Sequence, residues 1–423
     1  MIDLYFCSPY TLAFMRRGVA ALHLDTFAKE LHDEGYGRLA GQRLLHVARH
    51  VGEWSARQRL LLEHLDERAL ARFNAHLPNC RCIRSTRRVH RGLVEHPSGA
   101  RRFLRHLRRV SVALAPPTRT RPSWVVEYAA WMRDHRGLTD ATIAAQLPVI
   151  EALLAAAGDD TTRLDAASVR SFVLTSVAGH APRKPSSVTT PVRGFLRYLV
   201  ARGRCAATLL GAVPTIPSWH QTKLPQYIAA DDVERVIVAV NREGVAATRD
   251  RDGRAAVRDR AVLLLLARLG VRSGDVRELR IRDLDWKLGR VRLTGKGRRE
   301  THLPLPQDVG DAILAYLAKR PAAVTDHVFV RTHAPFRALS QPGVGHIVRS
   351  AIARSGVSAP SHGTHLLRHS LASRMLRDGA TLDTIGAVLR HRNIDTTAIY
   401  AKVDVAHLRQ IAQPWPGTEV SSC

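Results

Sequence analysis

Arg272, Lys296, His365, Arg368, His391 and Tyr400 follow one another through the C-terminal half of the chain. Together they are what a protein needs to break a phosphodiester with its own hydroxyl and no metal. Tyrosine titrates near ~10, so at pH 7 about one side chain in a thousand is ionised, and attack on phosphorus needs help with that proton. The phosphodiester anion repels an incoming oxyanion, and the pentacovalent transition state concentrates charge on its nonbridging oxygens. Planar guanidinium forks bind such oxygens two at a time, which makes Arg272 and Arg368 the candidate clamp. His391, nine residues before Tyr400, would donate to the same oxygens. Removing one such donor commonly costs ~3 kcal/mol, on the order of a hundredfold in rate.

The flanking patterns say which elements carry these groups. Arg258 to Arg268 contains the apolar run Ala261 to Ala267, too short for a membrane span and better read as a buried helix that Gly270 ends. Arg272 then falls just past a helix C-terminus. Arg290 to Leu293 and Glu300 to Leu303 alternate polar and apolar around Thr294-Gly295-Lys296-Gly297-Arg298, the pattern of a β-hairpin with Lys296 at its tip. Thr364 predicts an N-cap for a helix running through Met375, with His365 and Arg368 three apart on one face. A second helix, Thr381 to Arg390, precedes the turn Asn393-Ile394-Asp395. Tyr400 is therefore expected on a separate element, free to swing toward a phosphate.

The segments Gly270-Val271-Arg272-Ser273-Gly274-Asp275, Thr294-Gly295-Lys296-Gly297, His365-Leu366-Leu367-Arg368-His369, Leu389-Arg390-His391 and Thr396-Thr397-Ala398-Ile399-Tyr400-Ala401-Lys402 resemble the motif series of the tyrosine recombinases, the phage-integrase family. A lone His-x-x-Arg is common, but the ordered series, over roughly residues 225 to 411, is specific. The resemblance implies a mainly α fold with a small β-sheet in an α+β catalytic domain, preceded by helical DNA-binding domains. It implies that Tyr400 forms a 3′-phosphotyrosine and frees a 5′ hydroxyl, with a partner strand's hydroxyl rejoining the break. From the family come the roles of His365 as acid/base partner and Lys296 as proton donor to the leaving oxygen. Asp275 stands where relatives usually carry glutamate and would hold Arg272 or its helix from behind, and His369 reads as a packing neighbour. Arg298, Arg299, Lys184 and Arg193 are the candidate DNA-contacting cations. The implied partners are double-stranded DNA with specific recombination sites and either three further copies, as a homotetramer, or sister recombinases. No cofactor and no metal are implied.

Composition points to a polyanionic partner independently. Lys and Arg number 64 against 37 Asp and Glu, a formal charge of 64 − 37 = +27, and the pI is about 11.1. Arginine enrichment also follows from a GC-rich genome, so this ranks below the motifs. Five scattered cysteines argue against a disulfide framework and for a reducing cytoplasm, and the family resemblance implies a bacterial one, beside the nucleoid. The start, Met1 to Phe6, lacks the basic and apolar regions of a signal peptide, and no stretch reaches ~18 apolar residues.

Breakers divide 423 residues into an N-terminal helical extension (1–112), a helical block similar to the family's core-binding domain (119–212), a proline-rich linker (213–225), the catalytic region (226–411) and a tail (412–423). In the extension, Val19 to Leu31 and Leu39 to Leu65 read as helices, followed by an arginine-rich stretch from Arg81 to Arg109. Cys80, Cys82, His90 and His96 offer four donors to zinc, but the C-x-C opening is tighter than usual. Incidental thiols beside DNA-facing arginines are the preferred reading. The size of the extension points to a mobile element, with integration or transposition as its reaction. Two other readings compete: a type IB topoisomerase, which relaxes DNA by the same tyrosine chemistry, and a non-cleaving accessory subunit. A metal-dependent nuclease is disfavoured, since no paired carboxylates accompany the cations.

Overall fold

Helix-spaced apolar residues build the first 115 residues around one core, although not with the expected helix ends. The structure, a computed structural model, describes residues 1–80, 96–114, 122–158, 161–178, 184–216, 224–241, 253–294, 300–323, 325–391, 393 and 395–403. Its described residues form the α-helices α1 (Pro9–Met15), α2 (Ala21–Asp33), α3 (Arg38–Arg57), α4 (Glu67–His76) and α5 (His96–Arg109). Phe27, Leu45, Trp54, Phe73 and Phe103 fill their core. The helix expected over Leu39 to Leu65 stops at Arg57, because Arg59 turns left-handed (φ 53°) and Leu62–His64 form a separate 3-10 turn.

The arginines of α5 correct a second expectation. Arg102 is buried against Glu30 and Glu34, Arg108 forks onto Glu67 at 2.6 and 2.9 Å, and Arg109 reaches Glu30 at 3.1 Å. These charges tie α5 to α2 and α4, while Arg101, Arg105 and, despite its pairing, Arg109 stay exposed to solvent. The sequence showed an arginine-rich stretch, but not that glutamates of two other helices would pair with part of it.

The chain divides into two compact units, Met1–Ala115 with Lys223–Cys423, and Pro116–Thr222. The second unit is thus inserted into the first. It comprises α6 (Ser123–Arg136), α7 (Asp140–Ala156), α8 (Ala166–Ala178) and α9 (Pro185–Ala201), with Tyr128, Ile150, Phe195 and Tyr198 in its core. Thr139 caps α7 by accepting from Thr142 N, as its side-chain oxygen and position allow.

The C-terminal part of the first unit holds α10 (Ala230–Val238), α11 (Arg254–Arg268), α12 (Ser273–Glu278), β1 (Leu284–Asp285), β2 (Arg290–Thr294), β3 (Glu300–Pro304), α13 (Gln307–Lys319), α14 (Gln341–Ser355), α15 (His365–Arg377), α16 (Leu382–Leu389) and α17 (Asp395–Ala398). Residues Ala261 to Leu266 of α11 are all buried, so this helix runs through the core and packs against α13, α14 and α15. Each leucine so buried contributes roughly 1.5–3 kcal/mol. The strands form an antiparallel sheet in the order β1-β2-β3, with Val291 opposite Leu303 and Leu293 opposite Thr301. The two-residue strand β1 had no sequence signal. A smaller core of Leu371, Ala372, Leu376, Ile385, Leu389 and Tyr400 closes the C-terminal end. Among the described residues no helix is long and apolar enough to cross a membrane.

The N-terminal helices touch the C-terminal part of this unit directly. Gly35 lies against the Phe336 ring so closely that a Cβ there would fall 2.6 Å from Cε2, and Glu34 stands 3.9 Å from Arg337.

Candidate active site

Helix ends bring the separated motif residues together. α11 is followed by Gly270 in the left-handed region (φ 57°), where a Cβ would lie 2.6 Å from Leu389 Cδ2 and 2.9 Å from Leu371 Cδ2. Only glycine satisfies both the torsion and the packing at this turn. The chain then reverses into α12, with Arg272 at its N-cap and the Asp275 carboxylate accepting from the Arg272 N–H at 2.9 Å. At the far side α16 ends on Arg390, also left-handed (φ 56°), and the His391 N–H closes the turn onto Gly386 O at 2.9 Å.

Both candidate clamp arginines reach the C-terminus of α16. The last carbonyls of a helix lack partners within it and carry its negative dipole end. Arg368 Nη2 donates to Leu389 O, and Arg272 Nη2 donates to Arg390 O at 3.3 Å. Arg368 Nη1 donates to Gly270 O, so this guanidinium, 4% exposed, joins the turn after α11 to the end of α16. Burial, with Arg272 alongside, brings its pKa down to about 10. Two positive forks are thereby set side by side before any anion arrives.

Tyr400 lies in the 3-10 turn Ile399–Val403, after α17, and is 1% exposed. The separate element was expected; the buried side chain was not. The hydroxyl is 2.8 Å from His369 Nδ1, and burial pushes its pKa up to about 12. Burial, then His365 and Arg368, lower His369 to about 4, so its ring is neutral near pH 7 and a weak base for the phenol proton. Transfer of that proton is strongly uphill, which makes this a resting contact.

His391 lies parallel to the Tyr400 ring, 3° between planes and 6.4 Å between centres, with its Nδ1 2.7 Å from Thr397 Oγ1. Burial and the two arginines lower its pKa to about 4. His365 is exposed at the N-terminus of α15; packing on its enclosed side, then Arg368 and Arg272, lower its pKa. Thr364 does not cap α15. It adopts helical torsions and its side chain makes no cap hydrogen bond, because the helix turn has already begun there.

The sequence reading missed Arg390. Its side chain turns back to pair with Asp275, whose Oδ2 also holds the Arg272 backbone, and both side chains are over nine-tenths buried. Thr397, 1% exposed, likewise fixes His391 and presses on Gly386. A usable signal for Arg390 was its place just after a helix end, where glycine is usual and another residue needs compensation.

Of the other sequence candidates, Lys296, Arg298 and Arg299 lie outside the described residues, as do Cys82 and His90. Lys184 is exposed at the start of α9. Arg193 is half-buried, its Nη2 donating to the carbonyls of Val213 and Pro214 at 3.3 and 3.2 Å.

Comparison with known proteins adds to this geometry. The profile described as "Phage integrase family" matches residues 226–407. An integrase/recombinase of Sinorhizobium fredii (strain NBRC 101917 / NGR234), y4rA, is 37% identical over 426 aligned residues, covering 98% of this chain and 99% of that protein. The tyrosine recombinase XerC of Lactobacillus delbrueckii subsp. bulgaricus (strain ATCC BAA-365 / Lb-18) is 31% identical over 53% of this chain and 72% of its own. Among solved structures, the XerH site-specific recombinase in a post-cleavage complex with a palindromic difH substrate matches with a TM-score of 0.52 at 15% identity, covering 81% of this chain and 93% of that one. That last likeness concerns the fold.

Proposed function

This chain belongs to the phage integrase family, and from that membership we propose how its residues divide the work of a tyrosine recombinase. It is a site-specific DNA recombinase that cleaves and rejoins strands through a phosphotyrosine; its relatives carry recombinase names, and neither a relaxing enzyme nor a silent accessory is favoured. Tyr400 attacks the scissile phosphate, and the bond to the 5′ oxygen breaks as the bond to the phenol oxygen forms. Arg272 and Arg368 bind the nonbridging oxygens, with His391 donating to the same group. His365 exchanges the proton, and Lys296 supplies one to the leaving oxygen. Ester exchange keeps the bond energy, so rejoining needs no external energy source.

Asp275 and Arg390 position Arg272, and His369 holds the nucleophile at rest. Double-stranded DNA bearing recombination sites is the substrate, and four protomers, of this chain or with sister recombinases, join two duplexes. Integration or transposition of a mobile element fits a chain with a large extension ahead of its core-binding domain.

What supports these assignments is the convergence of segments 270–275, 365–369, 389–391 and 397–400 on one hydrogen-bonded cluster, with the Tyr400 hydroxyl inside it. The test is covalent trapping on nicked duplexes taken from the gene's own flanking DNA. A denaturing gel should show a protein–DNA adduct with wild type and none with Tyr400→Phe, which should still bind. An adduct of equal yield from Tyr400→Phe would move the nucleophile elsewhere; site-specific binding by wild type without any adduct would overturn the catalytic assignment.

A further inference from the structure

One cluster lies apart from the catalytic chemistry. His50 stands midway along α3, His76 is the last residue of α4, and Cys80 follows the 3-10 turn Leu77–Asn79. A donor atom from each lies within 4.8 Å of the other two. The site brings together residues up to 30 positions apart.

We propose that His50, His76 and Cys80 bind a borderline-soft divalent cation, of which zinc is the best fit, and that the metal ties α4 to α3. The donor chemistry selects the class. Two imidazoles and one thiolate suit zinc and its neighbours, whereas calcium and magnesium take oxygen. Three protein donors are also the minimum that zinc sites use.

Distances agree with this choice. With Zn–N about 2.1 Å and a ring nitrogen about 1.1 Å from its ring centre, two tetrahedrally placed imidazoles have centres about 5.2 Å apart. The rings of His50 and His76 are 5.3 Å apart and 75° inclined. With Zn–S near 2.3 Å, a nitrogen–sulfur edge of the same tetrahedron is about 3.6 Å. His50 Nε2 and Cys80 Sγ are 3.2 Å apart. Small side-chain rotations suffice to bring all three donors onto one ion.

The surroundings hold the ligands in place. His50 is 3% exposed, Phe73 meets it edge-on at 5.0 Å, and Trp54 stacks on His76. Rings fixed in this way lose little freedom on binding. Coordination replaces the thiol proton, which leaves to solvent, by the metal. Since α3 and α4 are joined by a loop containing only a 3-10 turn, a metal bridging them stabilises the whole N-terminal segment. A Cys80–His50 hydrogen bond without metal is the competing account.

The deciding experiment uses the full-length protein, its metal content measured as purified, then stripped with chelator and titrated with Co(II). The expected result is one zinc per chain as purified. Co(II) should then give visible bands of a four-coordinate ion and a near-ultraviolet thiolate-to-cobalt band. Cys80→Ser should lose the thiolate band and the retained zinc, His76→Gln should bind Co(II) more weakly, and Cys205→Ser should behave as wild type. If Cys80→Ser does not fold, wild type decides alone: zinc should raise its Tm and chelator lower it. Wild type with no retained zinc and no cobalt spectrum, or Cys80→Ser with an unchanged thiolate band, would overturn the site.

Discussion

Tyr400, the proposed nucleophile, rests against His369 with its hydroxyl engaged, its side chain buried and its pKa raised, so it is held protonated. The neighbouring histidines make this arrangement sensitive to acid. His369 and His391 have folded pKa values of about 4 against an ordinary 6.5. In the window between, the unfolded chain binds more protons than the folded one. Stability is therefore complete above about pH 6.5 and is lost as the pH falls toward 4. By pH 5.5 each histidine should cost roughly 1 kcal/mol, visible as a lower urea midpoint, and a His369→Gln His391→Gln variant should show a flatter dependence. Asp275 carries a different kind of weight. Asp275→Ala leaves Arg390 buried without its partner, a loss of about 3–5 kcal/mol. It also frees the Arg272 backbone, so cleavage by the surviving folded protein should fall on the order of a hundredfold, as for loss of an anion donor. Urea melts and single-turnover cleavage check both parts, and Asp275→Ala Arg390→Ala should recover some stability while leaving the rate low.

Among the elements, the turn at Gly270 matters most, since its carbonyl receives Arg368 and its missing Cβ leaves room for Leu389 and Leu371. Gly270→Ala should cost at least about 2–3 kcal/mol, by combining left-handed strain with a clash, and should reduce cleavage by displacing Arg368. Gly379 is also left-handed (φ 87°) but opens onto space, so Gly379→Ala should cost about 1 kcal/mol and leave the rate alone. Melting curves and cleavage rates of the pair separate strain from displacement. Punctuation of this kind is what made the elements legible. Gly270 and Thr381 marked helix ends correctly, and alternation marked the β2–β3 hairpin. The motif residues could be named because their ordered series resembles that of a known family and their types suit phosphate chemistry. The resting pose of Tyr400, the return of Arg390 to Asp275 and the inward turn of the α5 arginines were not legible. Each depends on a partner 30 to more than 100 residues away, which local patterns do not encode.

Over the whole molecule, the N-terminal helices and the C-terminal part share one compact unit while residues 116–222, with α6 to α9, form the other. The first is held partly by Phe336 against Gly35 and by Arg337 facing Glu34. Phe336→Ala should weaken that contact by about 1–2 kcal/mol, less than for a fully buried ring. Hydrogen exchange should then quicken at Gly35 and Tyr36, with α6 to α9 unchanged; equal quickening in those helices would mean a global loss instead.

That contact also sets an order of events at the ribosome. Residues 34 to 36 leave the exit tunnel some 300 positions before Phe336 does, and at roughly 5–20 residues per second that is a wait of about 15–60 s. The N-terminal helices have a core of their own and can fold during the wait, but the surface that will meet residues 336 and 337 stays open until the catalytic part is nearly made. The recombinase is therefore finished last at its beginning.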